Sequence, residues 1–226
     1  MMRTDTGRSS AIFYLPVVIA TALVVQLIGR YHAGALMIGQ SFYLSWILLR
    51  IVLPVIVLLI LGIPLTHIGI GMPSIDRKTG IAIILIVILL PVVFLWIYFV
   101  KGYFNFYSGS FRSGSGAGRF LQFMIFTSST LTGWEFLHRG FLLFGIIYLL
   151  TEREGLPAAA ASLTAVCLVW AFEVLFHFIK PELEAAGMLI GSPVLSWLAL
   201  RTRSIWIPLL IHFIVEVLFI LSLILR

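Results

Sequence analysis

Long apolar stretches with few or no charges recur along the whole chain, and they constrain its fold more than any other feature. A helix that crosses the hydrocarbon core of a bilayer needs about 20 such residues. Seven stretches approach this length: 11–29, 41–63, 79–100, 120–150, 157–178, 185–200 and 205–225. We therefore predict an all-α protein, a polytopic transmembrane helical bundle of seven spans.

The stretch at 120–150 is longer than one span requires. It predicts either one long tilted helix or two helices that meet near Gly133, and the second alternative gives eight spans. We expect residues 1–118 to hold the first spans and a connecting loop, and residues 119–226 to form a second helical bundle. The two parts are expected to make one integrated membrane domain. The Gly- and aromatic-rich loop at 101–119 is expected to place an aromatic belt at the membrane interface.

Composition excludes several classes of protein. Of the 226 residues, 61% are hydrophobic and 11% are charged, whereas soluble domains are about half apolar and a quarter charged. The net charge of +6 is not gathered into a basic cluster or helix face, so no nucleic-acid partner is expected. The single cysteine, Cys167, excludes a disulfide framework and a Cys-rich zinc module. The remaining class is an integral membrane protein, with the lipid bilayer as its surroundings.

Three of the later apolar stretches each carry one glutamate and one histidine at helical spacing. They are Glu135, His138 and Arg139; Glu173 and His177; and His212 and Glu216. An ionisable group within a membrane costs several kcal/mol and usually faces the bundle interior or a wet cavity, where it marks a functional site. If the three helix faces meet, their carboxylates and imidazoles are suited to proton transfer to and from water. Alternatively, each residue serves only to join helices by hydrogen bonds.

Other polar and small residues have simpler interpretations. Four hydroxyl residues precede the first of these groups: Ser128, Ser129, Thr130 and Thr132. We expect them to bond back to the helix backbone rather than to supply a nucleophile. Cys167 is expected to be a small core residue, and Arg50 to extend toward the surface or to pair with a buried glutamate. Gly187 and Gly191 predict a close-packing face for a neighbouring helix.

The polar residues also follow the order of motifs of a known family. Glu135-Phe-Leu-His-Arg139-Gly140-Phe resembles the first motif of the CPBP family, the CAAX-protease and bacteriocin-processing (Abi) family of glutamic intramembrane proteases. The family pattern at that motif is Glu-Glu-x-x-x-Arg. The resemblance extends over about 120–225.

The second and third motifs of the family follow at matching spacing. His177 fits the histidine of Phe-x-x-x-His, and the run from Arg203 to His212 is similar to the approach to His-x-x-x-Asn. The resemblance implies hydrolysis of peptide bonds in membrane proteins or peptides, without a metal or another cofactor. It also implies a place in the inner membrane of a bacterium. By this resemblance, His177 would polarise water, His212 would face the oxyanion and Arg139 would orient Glu135.

The sequence departs from the family pattern at four positions, one of which is His138 in place of the usual Phe before Arg. Trp134 stands where the family has its first glutamate, which pairs there with the second-motif histidine. Glu173 and Glu216 replace the Phe and the Asn of the other motifs. We expect Glu173 or Glu135 to supply the missing carboxylate, and Glu216 to stand in for Asn only when it is protonated. The candidate catalytic residues are therefore Glu135, Arg139, Glu173, His177, His212 and Glu216.

Two alternatives remain open from the sequence. Trp134 favours a catalytically silent family member that acts as an immunity factor or binds a membrane segment. Glu135-x-x-His138 has the spacing of di-iron sites in helix bundles, and zinc accepts the same ligands. Only one helix carries that spacing, and Arg139 beside it would repel a cation, so no metal ligands are assigned.

Overall fold

The structure is a computed structural model that describes residues 11–31, 48–99, 116–178 and 182–224. These residues form seven helices and no strand, so the all-α prediction is confirmed. The helices are α1 (Ala11–Tyr31), α2 (π-helical over Leu48–Val52, then α-helical over Leu53–Ile60), α3 (Arg77–Tyr98), α4 (beginning with Gly116–Glu135 and continuing to Arg153), α5 (Ala158–His177), α6 (Glu182–Thr202) and α7 (Trp206–Ile224).

Three helices are long and apolar enough to cross a membrane. They are Arg77–Leu95 in α3, Thr127–Arg153 in α4 and Ala158–His177 in α5. The apolar parts of α1, α2 and α7 are shorter over the described residues. Part of the second predicted span, 41–47, and most of the predicted aromatic belt, 101–115, lie outside the described residues. The count of seven spans stays a prediction.

The long stretch before residue 150 is one continuous helix, α4. Its α-helical turns over Gly116–Glu135 pass into a π-helical segment, Phe136–Phe144, without a break at Gly133. A short α-helical turn and a second π-helical segment then carry the helix to Arg153. The interpretation as a single helix is therefore correct. π-Helical turns often occur at functional sites. The π-helical segment of α4 begins directly after Glu135, which is consistent with Glu135 being a functional residue.

α4 is also the central helix of the bundle. Of its candidate span, 78% is buried inside the protein, whereas only 6% of the candidate span in α3 is buried. Leu137, Phe141 and Leu143 on α4 are fully buried. They belong to a hydrophobic core that also contains Val18 of α1 and Ala165 of α5. Side chains that project from α4 are therefore shielded from whatever surrounds the bundle. Because they are shielded, the polar side chains of α4 form their hydrogen bonds with groups inside the bundle.

The connector between α2 and α3 contacts the later part of the chain. The backbone N–H of Ile205 donates to the carbonyl of Gly69 over 2.9 Å, and the hydroxyl of Ser204 donates to the carbonyl of Gly71 over 2.8 Å. Gly69 has a φ of +73°, and a Cβ there would collide with the ring of Phe144 on α4. The connector therefore packs tightly against both α4 and the α6–α7 junction. Residues from both sides of position 118 share one hydrophobic core.

The predictions for the hydroxyl residues, the cysteine and the two glycines are confirmed only in part. The hydroxyls of Ser128, Ser129, Thr130 and Thr132 all donate to helix carbonyls three or four residues earlier, which confirms that prediction. Cys167 is exposed, so its placement in the core was wrong. A Cβ built on Gly187 or Gly191 meets no described atom within 4 Å. The predicted close packing at these glycines is therefore not seen in the described part of the chain.

Candidate active site

Arg139 lies at the centre of the buried polar cluster. Its guanidinium is fully buried and binds the carboxylate of Glu173 through two nitrogens. Nη1 donates to Oε1, and Nη2 donates to Oε2 over 2.7 Å. Nη1 also donates to Oε1 of Glu135, one helical turn earlier, over 3.1 Å. Two-pronged pairing is the strongest geometry open to arginine and a carboxylate. One cation thus joins the carboxylates of α4 and α5.

The second carboxylate of the cluster, Glu135, also contacts α7. Nδ1 of His212 lies 2.6 Å from Oε1 of Glu135, and Glu135 is fully buried. An ionised carboxylate only accepts hydrogen bonds, so Nδ1–H of His212 is the donor. The other oxygen of Glu135, Oε2, is buried and has no hydrogen-bond partner among the described residues. Glu135 therefore combines a fixed oxygen with one that is still able to accept a proton.

Glu216 lies one helical turn beyond His212 on α7 and is half-buried. It is close enough to His212 to interact with it electrostatically. His212 itself is 13% exposed, whereas Glu135 is wholly enclosed. His212 and Glu216 therefore lie on the side of the cluster that is nearer to the protein surface.

Trp134 occupies the middle of the cluster, next to Glu135. Its indole N–H donates to Oε1 of Glu173 over 2.7 Å. Its ring lies 4.2 Å from the ring of His138 and 5.3 Å from that of His177, measured between centroids. The guanidinium of Arg50 lies 5.1 Å from the same ring, within the range of a cation–π interaction. Trp134 thus takes the place that the family resemblance gives to a glutamate, and its indole N–H donates a hydrogen bond, whereas an ionised glutamate could only accept one.

His177 is held by the backbone of Glu173 rather than by its carboxylate. Nδ1 of His177 is 2.7 Å from the carbonyl oxygen of Glu173, and the ring is nearly buried. The carboxylate of Glu173 meanwhile receives its hydrogen bonds from Arg139 and Trp134. The described contact between His177 and Glu173 is thus made by the backbone carbonyl of Glu173.

The three helix faces that the sequence singles out do meet. Arg139 joins α4 to α5, Glu135 joins α4 to α7, and the ring of Trp134 stands beside that of His177. His138 is 3.9 Å from Oε1 of Glu173, so it borders the same cluster. Every candidate residue named from the sequence therefore lies in or beside one buried region.

Two further polar residues of this region come from the N-terminal helices. Gln26 on α1 is 3% exposed and lies 3.0 Å from Nε2 of His138. Arg50 on α2 is 7% exposed and bonds to Gln26 and to the carbonyl of Thr130. The expectation that Arg50 extends to the surface was wrong, because these acceptors and the Trp134 ring hold it inside. Gln26 was missed because it carries no charge, although it is a rare polar residue in its stretch.

The geometry does not favour a metal centre. Glu135 points to Arg139 and His212, whereas Nε2 of His138 points to Gln26. Over the described ranges, no group of three or more His, Cys, Asp or Glu residues could hold a metal ion. The guanidinium of Arg139 already pairs with both carboxylates of the cluster.

Comparison with known proteins adds no relative to this description. No family model matches the sequence, and no curated protein or solved structure is similar to it.

Proposed function

We propose that the protein is an intramembrane endopeptidase of seven spans, and that its reactive centre is Glu135 with His212. The observation that carries this proposal is the 2.6 Å contact between His212 Nδ1 and Glu135 Oε1, together with the buried second oxygen of that carboxylate, which has no partner among the described residues. A carboxylate with one oxygen fixed and the other without a hydrogen-bond partner among the described residues is suited to take a proton from a water molecule that enters the site.

Each member of the centre has a definite task in such a reaction. Oε2 of Glu135 accepts a proton from a water molecule, whose oxygen attacks the carbonyl carbon of the peptide bond. The same proton then passes to the nitrogen of the leaving amine as the C–N bond breaks, which restores the Glu135 carboxylate. Arg139 and His212 hold Oε1 and keep the carboxylate in place throughout.

Glu173 has a supporting role in this proposal. Both of its carboxylate oxygens are bonded to the Arg139 guanidinium, and one also accepts from Trp134. An oxygen that is already paired with a buried cation is a poor proton acceptor. Of the two carboxylates considered from the sequence as the base, Glu135 is therefore favoured over Glu173.

The substrates we propose are membrane-associated or lipid-anchored proteins, cut in or near the bilayer. Three helices long and apolar enough to cross a membrane and a buried polar site on the central helix support this choice. The bacterial inner membrane is the proposed location, as the family resemblance implies. We would compare the termini of membrane proteins in cells that make the wild-type chain and cells that make the Glu135→Gln variant. Termini that depend on Glu135 support the proposal, and identical termini in both cell lines contradict it.

A second candidate function is supported by Trp134. Its indole fills the position next to His177 and donates to Glu173, so the protein would bind a membrane segment or act as an immunity factor without cutting. The Trp134→Glu variant separates the two candidates. Cleavage that occurs only in that variant supports the silent protein, whereas cleavage by the wild-type chain supports the protease.

A further inference from the structure

A second hydrogen-bond chain runs from α2 through α1 to Trp134. Nη2 of Arg50 lies 3.4 Å from Oε1 of Gln26, and Nε2 of Gln26 lies 3.0 Å from Nε2 of His138. Arginine can only donate, so the oxygen of the Gln26 amide faces it and the NH₂ group faces His138. Nε2 of His138 must then be the acceptor.

The remaining ring nitrogen of His138 completes the chain. Nδ1 is 2.9 Å from the carbonyl oxygen of Trp134 and, because Nε2 accepts, Nδ1 carries the proton and donates. Arg50 therefore sets the orientation of Gln26, and the amide donor of Gln26 and the accepting carbonyl of Trp134 together select this tautomer of His138. The ring of His138 also lies 4.2 Å from the Trp134 ring, so the same side chain holds both the backbone and the indole of Trp134.

We propose that Gln26 and Arg50 are positioning residues of the candidate active site, which act through His138 to hold the Trp134 indole against Glu173. Arg50 supports Trp134 directly as well, from 5.1 Å above its ring. The indole N–H then fixes Oε1 of Glu173, and Glu173 fixes Arg139, which orients Glu135. The N-terminal helices thus belong to the site although the family motifs lie outside them. The expected effect on cleavage rests on the proposed function, whereas the geometry of the hydrogen-bond chain does not.

The test uses the full chain in lipid nanodiscs, labelled with ¹⁵N in its histidine rings and indoles. The resonances of His138 and Trp134 are assigned by their loss in the His138→Asn and Trp134→Phe variants. In the wild-type protein we expect His138 to carry its proton on Nδ1. In Gln26→Glu, a carboxylate faces Nε2 and draws a proton onto it, and in Gln26→Leu the donor to Nε2 is lost. Both changes should shift the indole N–H resonance of Trp134.

Thr21→Ala is the matched control, because Thr21 lies on the same helix and donates to its own backbone, at the carbonyl of Val17. It should leave both resonances unchanged. A His138 proton on Nε2 in the wild-type protein would overturn the proposal. So would a Trp134 indole resonance that is the same in the wild-type protein and both Gln26 variants.

Cleavage assays then separate this inference from the proposed function. If the protein is a protease, Gln26→Leu should lower its rate by up to about 100-fold, the cost of a displacement near 1 Å at a reacting centre. A shifted Trp134 resonance in the Gln26 variants would support the hydrogen-bond chain. If Glu135→Gln then behaves like the wild-type protein, the protease proposal is rejected. An unchanged cleavage rate in Gln26→Leu, alongside a Glu135→Gln variant that has lost activity, would overturn the positioning role.

Discussion

The indole N–H of Trp134 donates a hydrogen bond to Oε1 of Glu173 across 2.7 Å, which joins α4 to α5 at the centre of the bundle. Both residues lie at positions where the sequence departs from the family pattern that it resembles. In this protein the two residues are hydrogen-bond partners, so neither departure is to be read alone.

Trp134→Phe should weaken the fold by removing this donor while keeping the aromatic ring. A hydrogen bond to a charged group contributes roughly 1.5–3 kcal/mol, so a loss of that size in the free energy of unfolding is expected. Denaturant titration in mixed micelles measures it. Trp197→Phe is the control, because Trp197 is 42% exposed on α6. Equal losses at the two positions would contradict the role of the indole N–H.

Glu173→Gln should be more damaging to stability. It leaves the fully buried guanidinium of Arg139 with Glu135 as its main counter-charge, and breaking a buried ion pair costs roughly 3–5 kcal/mol. The control is Glu152→Gln, which changes an exposed carboxylate near the end of α4 and should alter stability by less than about 0.5 kcal/mol. Glu173→Gln unfolding like the control would show that the Arg139 pairing is not a major support.

Gly69→Ala should destabilise the connector that joins α4 to the α6–α7 junction. The glycine has a positive φ, and an added Cβ would collide with the ring of Phe144, so a loss of roughly 1–3 kcal/mol is expected. Gly71→Ala is the matched control two residues later, because a Cβ there meets nothing within 4 Å. Thermal unfolding of the two variants side by side measures the difference, and similar melting temperatures would contradict the prediction.

Stability should depend on Asp76 only while that residue is ionised. The backbone N–H of Thr79 donates to the Asp76 carboxylate, and this bond, with help from Arg201, lowers the pKa of Asp76 below its ordinary value of 3.8. Because the folded-state pKa is the lower one, the contribution is complete above pH 3.8 and disappears as the pH falls through the lowered value. The wild-type protein and Asp76→Asn should therefore differ in melting temperature at neutral pH and converge in strong acid. A difference that is constant with pH would contradict this account.

The sequence predicted the helical architecture because long apolar stretches have few alternatives as structures. It also identified Glu135, Arg139 and His212, since an ionisable residue in an apolar stretch must find a partner inside the bundle. The partners themselves could not be predicted. The sequence left open whether Glu173 or Glu135 supplies the missing carboxylate, and in the structure Arg139 on another helix binds the carboxylate of Glu173.

Gln26 and Arg50 show the other limit of prediction from the sequence. Gln26 is uncharged and Arg50 has a long side chain that can reach the surface, so neither required an interior partner. Their burial follows from the neighbours that the fold supplies, Trp134 and His138 on α4. Contacts between helices far apart in the chain are set by packing, which spacing along one helix does not encode.

The most direct test of the central claim compares the cleavage rates of Glu135→Gln and Glu173→Gln in reconstituted membranes. The rates are measured on a membrane protein whose termini change with Glu135 in cells, at a temperature where both variants remain folded. Loss of the base should lower the rate by about 100-fold or more in Glu135→Gln. Glu173→Gln should retain more activity than Glu135→Gln, because it displaces the base through Arg139 without removing it. Full activity in Glu135→Gln, with cleavage abolished in Glu173→Gln, would contradict the account.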